Sequence, residues 1–433
     1  MLPRYTRPKM GMIWAEERKF ATWLQVELAV CEAWTEHGKV PAAELAKLRH
    51  ARTPSLERIA EIEREIDHDL NAFLMAVAEQ LGDESRFLHL GLTSYDVEDT
   101  ATGIRLRDAA DLLLEGIAEL SDVLEQAAVK YKDVPQIGRT HGVQAEPITF
   151  GYKLLVWVDE MRRNRQRLEA ARAQVAVGKI SGAVGTHANV PPDVEDWVCT
   201  RLGLGIAPTS TQIIQRDRHA DFVTTLAVIA SSLDKFATEI RNLQRTEVLE
   251  VEEPFERGRV GSSAMPHKRN PARCERISGL ARLLRSYAQT ALENVALWHE
   301  RDITNSAPER VIFPDSCITL DYMLNLFTRV MADLRVYPEN MERNLNQTRG
   351  LVFSEAVLLA LIDQGLTRQD AYAIVQEHAT TAWEAGKDFS TLLKGDPRVT
   401  THLDEEEIDA LFDVRHHVRH IKASYKRMGL STK

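Results

Sequence analysis

Between Asp217 and Glu253 the chain carries no glycine and no proline. Within that stretch Leu226, Ile229, Leu233, Phe236, Ile240 and Leu243 recur at intervals of three and four residues, the spacing of one face of an α-helix. The pattern predicts one helix of roughly 30 residues, about 45 Å long at the standard rise. A rod of that length cannot bury its apolar stripe inside a compact single-chain globule. It needs other rods beside it, which points to an extended bundle completed by further copies of the chain.

Four other segments read as long helix. Phe20, Leu24, Leu28 and Cys31 form an apolar stripe that ends near Gly38 and Pro41. From Thr100 to about Lys130 only Gly103 and Gly116 interrupt a helical pattern carrying Ile104, Leu113, Ile117, Leu120 and Leu124. The others span about 151–177 and 275–298. Strand signals are few. "RFLHLGLTSYDV" (86–97), "KISGAVGTHANV" (179–190) and "KGDPRVTTHLDEEEI" (394–408) read as loops, the last leading into the final helices. The expected fold is therefore all-α, in three regions. A helical N-terminal domain spans 1–95, a central long-helix bundle 96–345, and a helical C-terminal domain 346–433.

Charge narrows the partners. With 54 basic against 64 acidic residues the net charge is −10, so there is no global attraction to nucleic acid or an anionic membrane. An anionic ligand would need a local cluster of cations. No apolar run approaches the ~18 residues of a membrane span, and the N-terminal "MLPRYTRPKMGMIW" has no secretory h-region. The expectation is a soluble cytoplasmic protein. Cys31, Cys199, Cys274 and Cys317 lie far apart without metal-type spacing, and read as reduced thiols. No Gly-rich nucleotide fingerprint, pyridoxal signature or nucleophile elbow occurs, so cofactor-free proton chemistry is what remains.

If the helices are scaffold, chemistry belongs in the loops between them. "HLGLTSYDVEDT" (89–100) holds His89, Thr93, Ser94 and Asp96, and its plainer reading is a helix cap, Thr93-x-x-Asp96 fitting a capping box. "GRTHGVQAEPITFG" (138–151) holds His141 and Glu146, where a lone histidine is ordinarily structural. "GSSAMPHKRNP" (261–271), followed by Glu275, is either a solvated connection or an anion site. Together these loops supply proton-transfer groups (His141, Ser262, Glu275), cations (Lys268, Arg269) and neutral donors (Thr93, Ser94, Ser263, Asn270). That mixture suits removal of a proton from carbon beside a carboxylate. Arg4 and Tyr5 precede the first helix. Arg301, Ser306 and Arg310 in "ERDITNSAPER" (300–310) are a combination suited to phosphate, although isolated arginines are usually surface salt bridges.

"GSSAMPHKRNP" matches the G-S-S-x-M-P-x-K-x-N-P signature of the fumarase/aspartase superfamily. The flanking "RYTRPKM" (4–10), "HLGLTSYDVEDTA" (89–101), "GRTHGVQAEPITFG" (138–151), "GKISGAVGTHANV" (178–190), "TSTQIIQRDRHAD" (209–221) and "LWHERDITNSAPER" (297–310) resemble its adenylosuccinate lyase family, of the shorter bacterial type. The likeness runs through nearly the whole chain. It implies a homotetramer with a core of about twenty long helices, five per subunit, and active sites each built from three subunits. It also implies cleavage of adenylosuccinate to AMP and fumarate, and of the succinyl-carboxamide ribotide SAICAR to AICAR and fumarate, without a cofactor.

Carried over to this sequence, the resemblance makes Ser262 the general base and His141 the general acid, with Glu275 orienting the imidazole. His68 in "IDHDL" (66–70) is a second histidine near the substrate, beside Asp67 and Asp69. Thr93, Ser94, Gln212, Ser263, Lys268 and Asn270 correspond to positions that hold the succinyl carboxylates, and Arg269 adjoins them. Arg4, Tyr5, Arg301, Ser306 and Arg310 match the phosphate-holding positions, with His89 nearby. Tyr95, Gln144 and Ala307 depart from common family residues, which touches the phosphate contacts and not the proton-transfer groups. The competing readings are 3-carboxy-cis,cis-muconate cycloisomerase, whose signature loop is very similar, and an enzyme-dead structural homologue, which would be expected to have lost the acid or base.

Overall fold

The structure, a computed structural model, describes residues 2–255 and 264–430. Helix makes up 68% of it, so the all-α class holds. Six helices exceed twenty residues: α1 (Glu16–Glu36), α2 (Ser94–Lys130), α3 (Phe150–Val175), α4 (Asp217–Leu243), α5 (Ala272–Glu293) and α6 (Ser306–Ala332). The Leu226–Leu243 stripe lies on α4, and all six of its members are buried.

Pro314, inside α6, conceals that helix from the sequence pattern. Proline lacks the N–H that would bond to the carbonyl of Arg310, and its ring crowds that carbonyl. The helix continues because Ile312, Phe313, Cys317, Ile318, Leu320 and Leu324 are buried around it, so packing overrides a local cost. α4, at 27 residues, matches the predicted length and ends at Leu243 with the last member of its stripe, although no glycine or proline follows until Pro254. Past it the backbone turns through Leu249 (φ 43°), and Val251–Glu252 pairs antiparallel with Arg335–Val336. The carboxylates that follow are spoken for. Glu250 accepts from Gln136 (2.7 Å) and Arg139 (2.7 Å), and Glu253 accepts the backbone N–H of Cys274 (2.7 Å). Absence of helix breakers permits a helix without requiring one.

The chain divides into two compact units. The first comprises Met1–Glu119, Arg163–Lys235 and Arg276–Leu326; the second comprises Leu120–Arg162, Phe236–Glu275 and Phe327–Lys433. In the first, Phe20 stacks on Phe73 at 5.7 Å and Trp23 meets Phe73 edge-on at 5.6 Å. In the second, Trp157 stacks on Phe236 at 4.7 Å. The stretch 394–408 is not only loop: it contains Pro397–Thr400 and leads into Glu405–Leu411, whose start carries an Asp404/Glu407 capping box. Reciprocal hydrogen bonds there satisfy two N–H groups that the first turn would otherwise leave open.

All four cysteines are buried and unpaired in disulfides, and burial pushes each thiol well above its ordinary pKa. No helix among the described residues is long and apolar enough to cross a membrane.

Candidate active site

Twelve of the sequence-predicted residues fall in the first unit. Thr93 and Ser94 stand at the entry of α2, where the Thr93 N–H donates to Asp96 Oδ2 (2.8 Å), one half of the expected capping box. His89 adopts a left-handed backbone (φ 58°), and buried Glu27 explains how it is held. Glu27 accepts the His89 backbone N–H at 2.8 Å and contacts its Nδ1 at 2.7 Å. Burial works against a charged imidazole, but the hydrogen bond and charge of Glu27 outweigh it and raise the His89 pKa above the ordinary value.

A second group gathers around Tyr95. The Arg301 guanidinium lies 3.5 Å from the centre of the Tyr95 ring and donates from Nη1 to Gln212 Oε1 (3.0 Å). Its Nε is buried without a partner among the described residues. The Tyr95 hydroxyl hydrogen-bonds with Ser306, the first residue of α6. One turn on, Arg310 pairs with Asp69 (2.8 Å) and lies 3.7 Å from Glu98. Tyr95, Ser306, Arg310, Asp69 and Glu98 line a cavity of about 460 Å³ together with Lys19 and Arg105. Burial, reinforced by the Asp69 charge, pushes Glu98 up to about 7.

His68 caps the helix Asp69–Ala78, its Nδ1 accepting the Asn71 N–H at 3.3 Å, and Asp67 ends the preceding helix in the left-handed region (φ 53°). Tyr5 meets Tyr322 edge-on at 5.2 Å, while Arg4 is exposed. Asp69, read as a substrate contact, is engaged by Arg310 and lies 3.8 Å from Lys19.

The second unit holds His141, Lys268, Arg269, Asn270 and Glu275. The segment read as a loop at 138–151 is a hairpin, Pro135–Thr140 pairing antiparallel with Val143–Thr149. Thr140 faces Val143, so the connection is the two residues His141–Gly142, with φ of 55° and 78°. Two successive positive φ values are those of a type I′ turn, whose twist matches that of the strands. A histidine in the first of those positions, and Pro147 within the second strand, concealed it. The turn leaves His141 exposed, with no side-chain partner among the described residues. Lys268 and Asn270 are also exposed. Arg269 pairs with Glu252 (2.9 Å), and Glu275 lies exposed in the first turn of α5, where the helix dipole favours its charge. Ser262 and Ser263 lie outside the described residues.

Two buried ionic groups in the first unit escaped the sequence reading. Arg216 holds Asp99 (2.7 Å) and Glu309 (3.0 Å), and Lys179 holds Asp96 (2.6 Å). Asp96 was visible as a cap; its distant partner was not. Among the described residues no group of three or more His, Cys, Asp and Glu side chains is arranged to hold a metal ion.

The fold and these loops are those of a fumarate lyase-type protein. The structure matches a fumarate lyase from Mesorhizobium sp. BNC1 with a TM-score of 0.90, at 28% identity, covering 99% of each chain. It matches the 3-carboxy-cis,cis-muconate lactonizing enzyme of Pseudomonas putida with a TM-score of 0.89, at 29% identity, over 98% of this chain and 96% of that one. The family model described as "Lyase" covers residues 4–284. Shape alone leaves the branch open, and sequence decides it. The model described as "Adenylosuccinate lyase C-terminus" matches residues 350–428. The adenylosuccinate lyase of Bacillus subtilis (strain 168) is 50% identical over 431 residues, the full length of both chains. The chain belongs to the adenylosuccinate lyase family.

Proposed function

We propose that this chain cleaves adenylosuccinate to AMP and fumarate, and SAICAR to AICAR and fumarate. The observation that carries the reading is half-identity to an adenylosuccinate lyase along the full length of both chains. The reaction is a β-elimination. Ser262 takes the proton from the carbon beside the succinyl carboxylate, and the electron pair left behind is delocalised into that carboxylate. The C–N bond then breaks, and His141, oriented by Glu275, protonates the departing nitrogen. Thr93, Ser94, Gln212, Ser263, Lys268 and Asn270 hold the succinyl carboxylates, contacts that strengthen as charge accumulates there. Arg4, Tyr5, Arg301, Ser306 and Arg310 hold the phosphate, with His89, His68, Asp67, Asp69 and Arg269 around the substrate.

The same reading includes a cytoplasmic homotetramer with shared active sites and the three-region division at 95 and 345. An exposed His141 without a side-chain partner among the described residues supports a site completed by another subunit. The test is an absorbance assay with each substrate. Release of fumarate from both is expected. No turnover of either, with conversion of carboxymuconate instead, would assign the chain to the cycloisomerase branch.

A further inference from the structure

Asp96 and Lys179 are both entirely buried, at 0% side-chain exposure, and no step of the elimination uses them. A buried ion pair is poor evidence of stability, because desolvating two charges offsets most of their attraction. What distinguishes this pair is what else it holds. Asp96 Oδ1 accepts from Lys179 Nζ (2.6 Å), the Ser181 N–H (3.0 Å) and the Gly182 N–H (3.2 Å), while Oδ2 accepts from the Thr93 N–H (2.8 Å). Lys179 Nζ spends its other two donors on the carbonyls of Gln212 (3.0 Å) and Gly182 (3.3 Å). The ammonium is thereby saturated, since it has three N–H groups and three acceptors.

Three segments distant in sequence meet on this pair: the entry of α2 with Thr93 and Ser94, the 179–185 loop, and the 210–214 segment with Gln212. Other contacts weld the same segments. Ser181 Oγ lies 2.8 Å from Ser210 Oγ. Gly185 (φ +81°) lies so close to the Ser210 carbonyl that a Cβ would stand 2.2 Å from it. Asp99, one turn along α2, accepts the Ile214 N–H at 2.8 Å. Gln212 is therefore bracketed, its carbonyl held through Lys179 and Asp96, and the chain two residues on held by Asp99.

We infer that Asp96 and Lys179 are positioning residues that set Thr93 and Ser94 in register with Gln212, and so shape the half of the site that takes a dicarboxylate. The inference rests on the assignment of those three residues to the succinyl end. It separates the two products. Fumarate needs Thr93, Ser94 and Gln212 in mutual register, whereas AMP is held chiefly by the phosphate group of residues.

The experiment uses full-length Asp96→Asn, the double variant Asp96→Asn/Lys179→Met, which removes both buried charges together, and Thr100→Val. Thr100 Oγ1 bonds both the N–H (3.1 Å) and the carbonyl (2.9 Å) of Lys179, so Thr100→Val loosens the same segment while keeping both charges. Product inhibition by fumarate and by AMP is measured on each variant that folds. A register error near 1 Å can cost up to about 100-fold. Fumarate inhibition is expected to weaken about tenfold or more in the Asp96 variants and about threefold in Thr100→Val, with AMP inhibition changed less than about twofold. Equal loss for both products, or no change for either, in any folded variant overturns the inference, because a merely structural pair would not discriminate between them. The functional reading is checked separately: wild-type protein that releases no fumarate from adenylosuccinate refutes that reading, while active wild type with indiscriminate variants refutes the positioning role alone.

Discussion

Replacement of Arg216 by methionine should destabilise the first unit in a way that depends on pH. Arg216 is 2% exposed and makes five hydrogen bonds: two to Asp99, two to Glu309 and one to the Ile214 carbonyl. Methionine fills similar space but leaves two buried carboxylates without their cation. Each keeps one donor, the Ile214 N–H for Asp99 and Asn305 Nδ2 for Glu309. Breaking a buried pair from one side costs about 3–5 kcal/mol, so a loss of about 4 kcal/mol is expected at pH 8.

The pH dependence follows from the wild-type shifts. Although burial opposes it, Arg216 holds the Asp99 pKa below its ordinary value, so Asp99 contributes stability above the unfolded pKa that is lost as pH falls through the folded one. In Arg216→Met the Asp99 carboxyl rises above its unfolded value, and Glu309, which burial already holds raised against the pull of Arg216, rises further. A raised carboxyl costs stability as pH increases through its folded pKa, so the deficit is widest at neutral to alkaline pH and narrows toward pH 5. His219 acts in the same direction. Burial and then the Arg216 charge hold it down at about 3, and removing that charge eases its protonation beside Asp99. Urea midpoints at fixed protein concentration, followed by tryptophan fluorescence at pH 8 and pH 5.5, measure the gap. A gap under about 1 kcal/mol at pH 8, or one that widens on acidification, would refute the electrostatic account.

Ser262→Ala and His141→Gln should each lower kcat about 10²–10⁴-fold, the usual worth of a proton-transfer group. Because His141 is an exposed turn residue, His141→Gln should leave the thermal midpoint unchanged, and near-normal turnover in either variant would move the acid or base elsewhere. Mixing the two inactive variants through mild unfolding and reassembly should restore activity in about a quarter of the sites if the two residues come from different subunits. No rescue in properly reassembled oligomers would count against sites shared between chains.

The long helices were legible because their stripes are local: Leu226 to Leu243 announce α4 without help from the rest of the chain. Features that depend on distant partners were not. Nothing near Pro314 indicates that burial of Phe313 and Cys317 would carry α6 through it. Arg216 reads as an ordinary charged residue until Asp99 and Glu309, 117 and 93 positions away, close around it. The hairpin at 135–149 carried a usable signal in His141–Gly142, since glycine after a residue tolerant of the left-handed region is turn chemistry. The proposed site residues were read from the motif, and the geometry adds what no motif records, such as the Glu27 clamp on His89.

The burial of all four thiols has a practical consequence for anyone who wishes to test the proposed assembly. Because Cys31, Cys199, Cys274 and Cys317 are inaccessible and held in the neutral thiol form, they react slowly with maleimides and similar probes. The native chain is already a silent background for single-site labelling, with no cysteine to remove. A cysteine introduced at Val143, exposed beside the His141 turn, would carry a fluorophore or spin label on that turn. In the proposed homotetramer, distances between labels on different subunits would then report where each turn sits, read out as spectroscopy and not as turnover.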